Sequence, residues 1–407
     1  MTNARDARWV LGRTREVWQE SGVRGVARRG SGYLSRQRAA MRKRLPTGPV
    51  DSSTWPASVT IIAGRQPPQC FRYRVLQKLE AAEGGVPVRV ADPGDPDQVS
   101  DAVSLARILV IFRQPDTPVT RAAVAQARRL GIPVVYEADD AVHDRSLLAG
   151  DPNLATLPGN LRRSVVRGAD RHRSLLRECD HVLAATPELA AALGREVPGS
   201  AFVMENGVDR QMRTIAAGLR ADPAPPRPPD DGRVVIGYGS GSRAHDADFA
   251  VAAPGLARVM AGDQRVTLLL VGPVALPSPL QPFADRIDRF DSLDYGEFLR
   301  QLAACDIAIA PLLDLPFNRY KSQVKMIEAA VVGTALVASP PVYADHVVDG
   351  VTGLLAPDDG WAETLRRLVV DGALRGQLAT AAAASVTDLR VEHRPRRQWN
   401  DMITALQ

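Results

Sequence analysis

Cysteine is scarce in this chain, with three in 407 residues. Cys70, Cys179 and Cys305 lie far apart, cannot all pair, and lack the spacing of a zinc site, which argues against a disulfide framework and a structural metal. Long apolar runs are also missing. "ARILVIF" and "RVTLLLVGPVAL" fall well short of the roughly 18 residues that span a bilayer, and the N-terminus lacks the apolar stretch of a signal peptide. These absences predict a reducing, cytoplasmic setting without a membrane-crossing helix. At this length one ordinary core is not enough, and two domains of about 150–200 residues are expected.

Acidic residues are scarce in one place. Residues 1–45 hold 12 Lys and Arg against Asp6, Glu16 and Glu20, a balance of +9, while the whole chain carries +5, so everything after the arm sums to −4. Apolar positions at helical spacing (Ala7, Val10, Leu11, Val17, Trp18), then glycines at 22, 25, 30 and 32, predict a short helix, a break and a second basic helix ending near Pro46. Such an arm suits either an anionic membrane surface or a leader packed on a partner. It lacks the aromatic platforms of a nucleic-acid module, and nucleic acid is not expected as a partner.

From Ser58 onward the texture alternates. "SVTIIAG", "VPVRVA", "RILVIF", "IPVVYEA", "HVLAAT" and "SAFVMENG" read as strands separated by helical segments, the pattern of a parallel, doubly wound sheet. The prolines of "LRADPAPPRPPDDGR" forbid a regular element and mark a linker. The alternation restarts with "RVVIGYGSG", "RVTLLLVGP", "DIAIAPLL", "TALVAS" and "GLLAP". In sheets of this kind ligands bind outside the carboxyl ends of the strands, so a cleft between two facing α/β domains is the expected site.

Two stretches of the second unit carry candidate chemistry. "IGYGSGSRAHDADF" turns from a strand into a helix. Gly237, Gly239 and Gly241 allow close backbone approach, and helix-start amides favour an anion such as phosphate. The spacing matches neither GxGxxG nor the lysine-containing P-loop, so a bare structural turn is the alternative. Arg243 and His245 add positive or hydrogen-bonding capacity there, with Asp248 available to cap the helix or hold His245. In "NRYKSQVKMIEAAVVG", Lys321, Lys325 and Glu328 fall at i, i+4 and i+7, on one face if the segment is a single helix. "MIEAAVVG" is otherwise a core helix, and charged groups on it need partners. A glutamate can accept from the two hydroxyls of a ribose, and lysines one turn earlier can neutralise a diphosphate. In the first unit Arg72 and Arg74 follow strand one, and Asp139, Asp140 and His143 follow a later strand. Adjacent aspartates without a third ligand are poor metal sites, and helix capping or acceptor binding suits them better.

Together "GYGSGSRAHDADF", "LVGP", "LDYGEFLRQLAACDIAIAPLL", "NRYKSQVKMIEAAVVGTALVAS" and "DGVTGLLAPDDGWAETLRRLV", with "RYRV", "VVYEADD" and "CDHVLAATPELA" earlier, resemble the retaining glycosyltransferases of family 4, the group 1 class with the GT-B fold. The resemblance spans about residues 58–390 and is densest in the C-terminal half. It implies an α/β GT-B protein with two Rossmann-like domains facing a cleft. Its parts would be a basic helical arm over 1–56, an acceptor-binding domain over 57–208, a Pro-rich linker over 209–232, a nucleotide-sugar domain over 233–390, and a C-terminal helix over 391–407 free to cross back to the first domain. It implies no metal and no cofactor beyond the nucleotide-sugar co-substrate.

By this resemblance Glu328 holds the nucleotide ribose, and Lys321 and Lys325 face the diphosphate with Arg243 as the catalytic basic groups. Ser240, Gly241, His245, Ser322 and Tyr320 would complete the donor side, and Arg72, Arg74, Asp139, Asp140 and His143 the acceptor side. Tyr320 departs from the family pattern, which has a glutamate there that contacts the donor sugar. The function implied is transfer of a hexosyl or deoxyhexosyl unit to a glycan, lipid-linked or polysaccharide acceptor in cell-surface glycan biosynthesis. The enzyme would be docked on the inner face of the cell membrane through residues 1–45. The alternatives are a degenerate GT-B protein acting as a binding or scaffolding subunit, and a sugar-nucleotide epimerase.

Overall fold

The computed structural model describes residues 58–221, 232–291 and 293–407. The basic arm and residues 222–231 of the linker lie outside them. Among the described residues twelve strands form two parallel six-stranded sheets. In the first, β1 (Val59–Ala63), β2 (Val88–Ala91), β3 (Ile108–Phe112), β4 (Val134–Ala138), β5 (His181–Ala184) and β6 (Ala201–Val203) lie in the order β2-β1-β3-β4-β5-β6. In the second, β7 (Val234–Gly239), β8 (Val266–Val271), β9 (Ile287–Phe290), β10 (Ile307–Ala310), β11 (Ala335–Ala338) and β12 (Leu354–Leu355) lie in the order β12-β11-β10-β7-β8-β9. Strand order reverses between β1 and β3 in one sheet and between β7 and β10 in the other. Helices cover both faces, which is why β1, β3 and β10 are buried at every position and read as unbroken apolar runs.

Two elements differ from the sequence reading. The segment assigned to a linker over 209–232 begins with a helix, Arg210–Ala221, whose Met212 packs with Leu299, Met326 and Ala330 of the second domain. Its apolar positions recur at helical spacing, and only the proline run after it breaks the pattern. Strand β9 carried no signal because "IDRF" is an edge strand with three exposed residues. At the other end, helix Arg394–Leu406 returns to the first domain, where Trp399, Met402 and Ile403 pack with Val59, Ile61 and Val75.

A buried charge cluster sits inside the first domain. Glu137 on β4 accepts from Arg74 Nε at 2.8 Å and from Lys78 Nζ at 2.5 Å, and all three side chains are fully buried. Burial pushes the Lys78 amine down to about 7. Removing the shared carboxylate leaves the buried Arg74 guanidinium without its counter-charge and the Lys78 amine without its acceptor, so Glu137→Ala is expected to lower unfolding free energy by about 3–5 kcal/mol. Urea denaturation checks this, and a loss under 1 kcal/mol contradicts it.

Candidate functional site

The site is built at the carboxyl ends of β7 and β10, where the second sheet reverses direction. After β7 the chain turns through Ser240 and Gly241 into helix Asp246–Gly262. The turn is pinned from below: Ser240 N donates to Val271 O at 2.8 Å, and Gly272 at φ 103° lies so close that a Cβ on it would come within 1.8 Å of Ser240 O. Asp246 Oδ2 accepts from Arg243 Nε at 3.1 Å, and Oδ1 accepts from Ala275 N at 3.0 Å, tying the loop after β8 to the same turn. Arg243 is therefore held by a neighbouring carboxylate, with half of its side chain exposed.

After β10 the chain makes a 3-10 turn, Asn318–Tyr320, and a helix begins only at Val324. Lys321 is extended (φ −73°, ψ 147°). It does not share a helix with Lys325 and Glu328, which corrects the one-face reading. The charges converge all the same. Lys321 Nζ lies 3.2 Å from His245 Nδ1 and 3.6 Å from Asp248 Oδ2. Lys325 Nζ donates to Gly239 O and sits 4.7 Å over the Tyr238 ring. Asp248 is fully buried. Its Oδ2 lies 3.1 Å from His245 Nδ1, and its Oδ1 accepts from Leu313 N at 3.1 Å and Asn318 Nδ2 at 2.9 Å, so that it joins the two switch-point loops. Those donors and the Lys321 ammonium hold its carboxyl well below the usual range, against the effect of burial.

The first domain reaches across the cleft onto these groups. Tyr73 OH donates to Glu328 Oε1 at 2.7 Å and lies 2.8 Å from Tyr295 OH. Tyr295 is placed by Asp294, which caps its helix, and carries the Arg72 guanidinium 3.7 Å over its ring. Burial pushes the Glu328 carboxyl up, opposed by the Tyr73 hydroxyl and the Lys325 ammonium. Asn153 Oδ1 accepts from Ala247 N at 2.9 Å and Asp248 N at 3.0 Å. The first amides of helix Asp246–Gly262 are thus already capped, whereas the sequence reading had them free. Asn206 Nδ2 donates to Ser322 Oγ at 2.8 Å, and Thr186 Oγ1 donates to Tyr320 O at 3.3 Å.

The residues assigned to acceptor binding divide. Arg74 is fully buried, held by Glu137, Met204 O and Asn206, and has no surface to present. Arg72 is paired with Asp209 and Gln211 beneath Tyr295. His143 is buried with an unpartnered Nδ1, and burial pushes its ring down. Arg74 and His143 sit in the first domain's interior and Arg72 is covered at the seam with Tyr295, which corrects their assignment as direct acceptor contacts. Asp139 and Asp140 remain part-exposed, both on Arg113 Nη1, at 2.5 and 3.3 Å. Tyr320 turns its ring onto the core of the first domain rather than into the cleft, a correction to its place among the donor contacts. Among the described residues no group of three metal-ligating side chains occurs.

Sequence reasoning missed Tyr73, Tyr295, Asn153 and Arg113. Arg113 had a usable signal, since a charged residue directly follows the apolar run "ILVIF"; its φ of 48°, unusual for a side-chain-bearing residue, shows only in the structure. Asn153 and Tyr295 had none, because their contacts run between segments 94 or more residues apart. Two part-buried imidazoles give a stability prediction. Burial pushes His172 down to about 3 and His245 down to about 4. Below the ordinary value of about 6.5 the unfolded chain takes up protons that the folded chain refuses. Stability is therefore full above that pH and lost toward pH 4. Tm measured across the window should fall, and a flat profile contradicts it.

Residues 234–371 match the family model described as glycosyl transferases group 1, which supports a glycosyltransferase. No protein of curated function matches the chain. The crystal structure of Anabaena Alr3699/HepE in complex with UDP and glucose is 16% identical, covers 86% of this chain and 100% of its own, and superposes with a TM-score of 0.55. The same protein in complex with UDP-glucose gives 16% identity, 86% and 99% coverage, and a TM-score of 0.54. At that identity the likeness establishes the fold, which is the two-domain GT-B arrangement.

Proposed function

We propose that this chain is a retaining glycosyltransferase that moves a sugar from a nucleotide-sugar to a glycan, lipid-linked or polysaccharide acceptor. The observation that carries the reading is the convergence of Lys321, Lys325, His245 and Glu328 from three segments onto the crevice between β7 and β10. Breaking an anomeric bond builds charge on the departing diphosphate, and two ammonium groups at a helix start stabilise that charge. Glu328, once Tyr73 moves aside, offers a carboxylate to the ribose hydroxyls. In a retaining reaction the departing phosphate can itself take the acceptor proton, so no separate carboxylate base is required. Asp139 and Asp140, part-exposed on Arg113, are the acceptor-side groups that retain surface for sugar hydroxyls.

HepE of the same fold is held with UDP-glucose, so a UDP-sugar is the first donor to test. The test incubates the protein with UDP-, GDP-, ADP- and TDP-sugars and simple glycosides, following diphosphate release and the anomeric configuration of any product. Diphosphate release with product of unchanged configuration supports the reading. Inverted product removes the retaining mechanism, and interconversion of the sugar without diphosphate release favours an epimerase. Tight binding without turnover favours a scaffolding subunit, a reading to which the engagement of Glu328 by Tyr73 also lends weight. The +9 arm supports docking on anionic membrane.

A further inference from the structure

His245 has two neighbours competing for one nitrogen. Nδ1 lies 3.1 Å from the Asp248 carboxylate and 3.2 Å from the Lys321 ammonium. A neutral imidazole carries a single proton, so Nδ1 either donates to the carboxylate or accepts from the ammonium. The ring is neutral at physiological pH, because burial and the Lys321 and Lys325 charges outweigh Asp248. Asp248 settles the competition. Its Oδ1 is filled by Leu313 N and Asn318 Nδ2, and its Oδ2 has only His245 Nδ1 and the more distant Lys321 at 3.6 Å. A bare lone pair on Nδ1 would face this buried anionic oxygen at 3.1 Å and be repelled, whereas a proton there makes a charge-assisted hydrogen bond. Lys321 keeps its attraction to the same carboxylate and lies 5.7 Å from the Phe317 ring centroid.

The other ring nitrogen is then fixed as an acceptor. Among the described residues no hydrogen bond to Nε2 occurs, and 31% of the side chain is open to solvent. The charged groups around the ring are Asp248 on its own helix and Lys321 and Lys325 across the switch point, with Asp151 of the first domain beside Asp248 and Lys321. A lone pair on this nitrogen repels phosphate oxygen and accepts from a hydroxyl. We propose that Asp248 is a positioning residue that takes the Nδ1 proton of His245, so that His245 Nε2 accepts from a hydroxyl of the donor's sugar and leaves the diphosphate to the two lysines. This rests on the donor-site reading above and departs from the sequence expectation that His245 serves an anion.

The test has two arms. Nitrogen-15 NMR of histidine-labelled protein reads the tautomer directly, with no ligand present. The Nδ1–H form is expected in the wild type, with the Nε2–H form growing in Asp248→Asn, and a wild type in the Nε2–H form overturns the positioning role. Calorimetry with UDP and UDP-glucose, and with GDP and GDP-mannose, reads the second step. His245→Ala should leave the diphosphate affinity within about twofold and weaken the nucleotide-sugar about five- to tenfold, the scale of one hydrogen bond. Equal weakening of both overturns the hydroxyl contact. If neither form binds the wild type, the donor-site reading falls and takes the hydroxyl contact with it, while the tautomer result still decides the role of Asp248.

Discussion

Replacing Lys321 and Lys325 together by alanine is expected to lower turnover on the order of 10³-fold while the protein stays folded. A single preorganised group aimed at developing charge is typically worth about 10²–10³ in rate, and two acting on one diphosphate overlap rather than multiply. The loss should fall on kcat more than on nucleotide affinity, because the charge on the leaving group grows toward the transition state. The fold tolerates the change. Asp248 keeps His245, Leu313 N and Asn318 as donors without Lys321, and Lys325 gives up one carbonyl contact and one ring face. Steady-state kinetics with circular dichroism as control checks the result. A double variant within about tenfold of wild type would place the leaving-group charge elsewhere.

Two substitutions at a single hydrogen bond are expected to act in opposite directions. Glu328→Ala removes the carboxylate offered to the ribose and should weaken nucleoside diphosphate binding by about 1–3 kcal/mol, the range for a lost charged hydrogen bond. Tyr73→Phe removes the hydroxyl that occupies Glu328 Oε1 and keeps the ring, which meets Tyr295 edge-on at 6.2 Å. With its competitor gone, Glu328 should bind the nucleotide severalfold more tightly. Burial raises the Glu328 carboxyl, so affinity in the wild type should grow as pH rises through that elevated value and the carboxylate forms. Calorimetric titrations of both variants across pH check all three signs. If Tyr73→Phe weakens binding, Tyr73 is a donor contact rather than a competitor.

Most of the fold was legible because strands buried on both faces, as β1, β3, β4, β10 and β11 are, must be largely apolar, and such runs stand out between helical segments. Strand β9 escaped because three of its four residues, Asp288, Arg289 and Phe290, are exposed and leave no apolar run. Lys321, Lys325 and Glu328 could be found because ionic groups beside a core helix need partners. Their geometry could not: a helical period applied from Asn318 passes over the extended Lys321, and nothing local announces that break. Arg72 and Arg74 were assigned to the acceptor side because they follow strand one. The π-helical turn Arg72–Leu76 buries its first four residues, and their partners Asp209, Glu137, Met204 and Asn206 come from distant segments. The interdomain contacts of Tyr73 and Asn153 are likewise products of tertiary structure.

The most direct test of the account is a calorimetric titration of UDP, GDP, ADP and TDP into the wild-type protein. The account predicts that one of the four binds and the others bind far more weakly, with the affinity for that one weakened by about 1–3 kcal/mol in Glu328→Ala. If none binds the folded protein, the crevice between β7 and β10 is not a donor site and the transferase reading is contradicted.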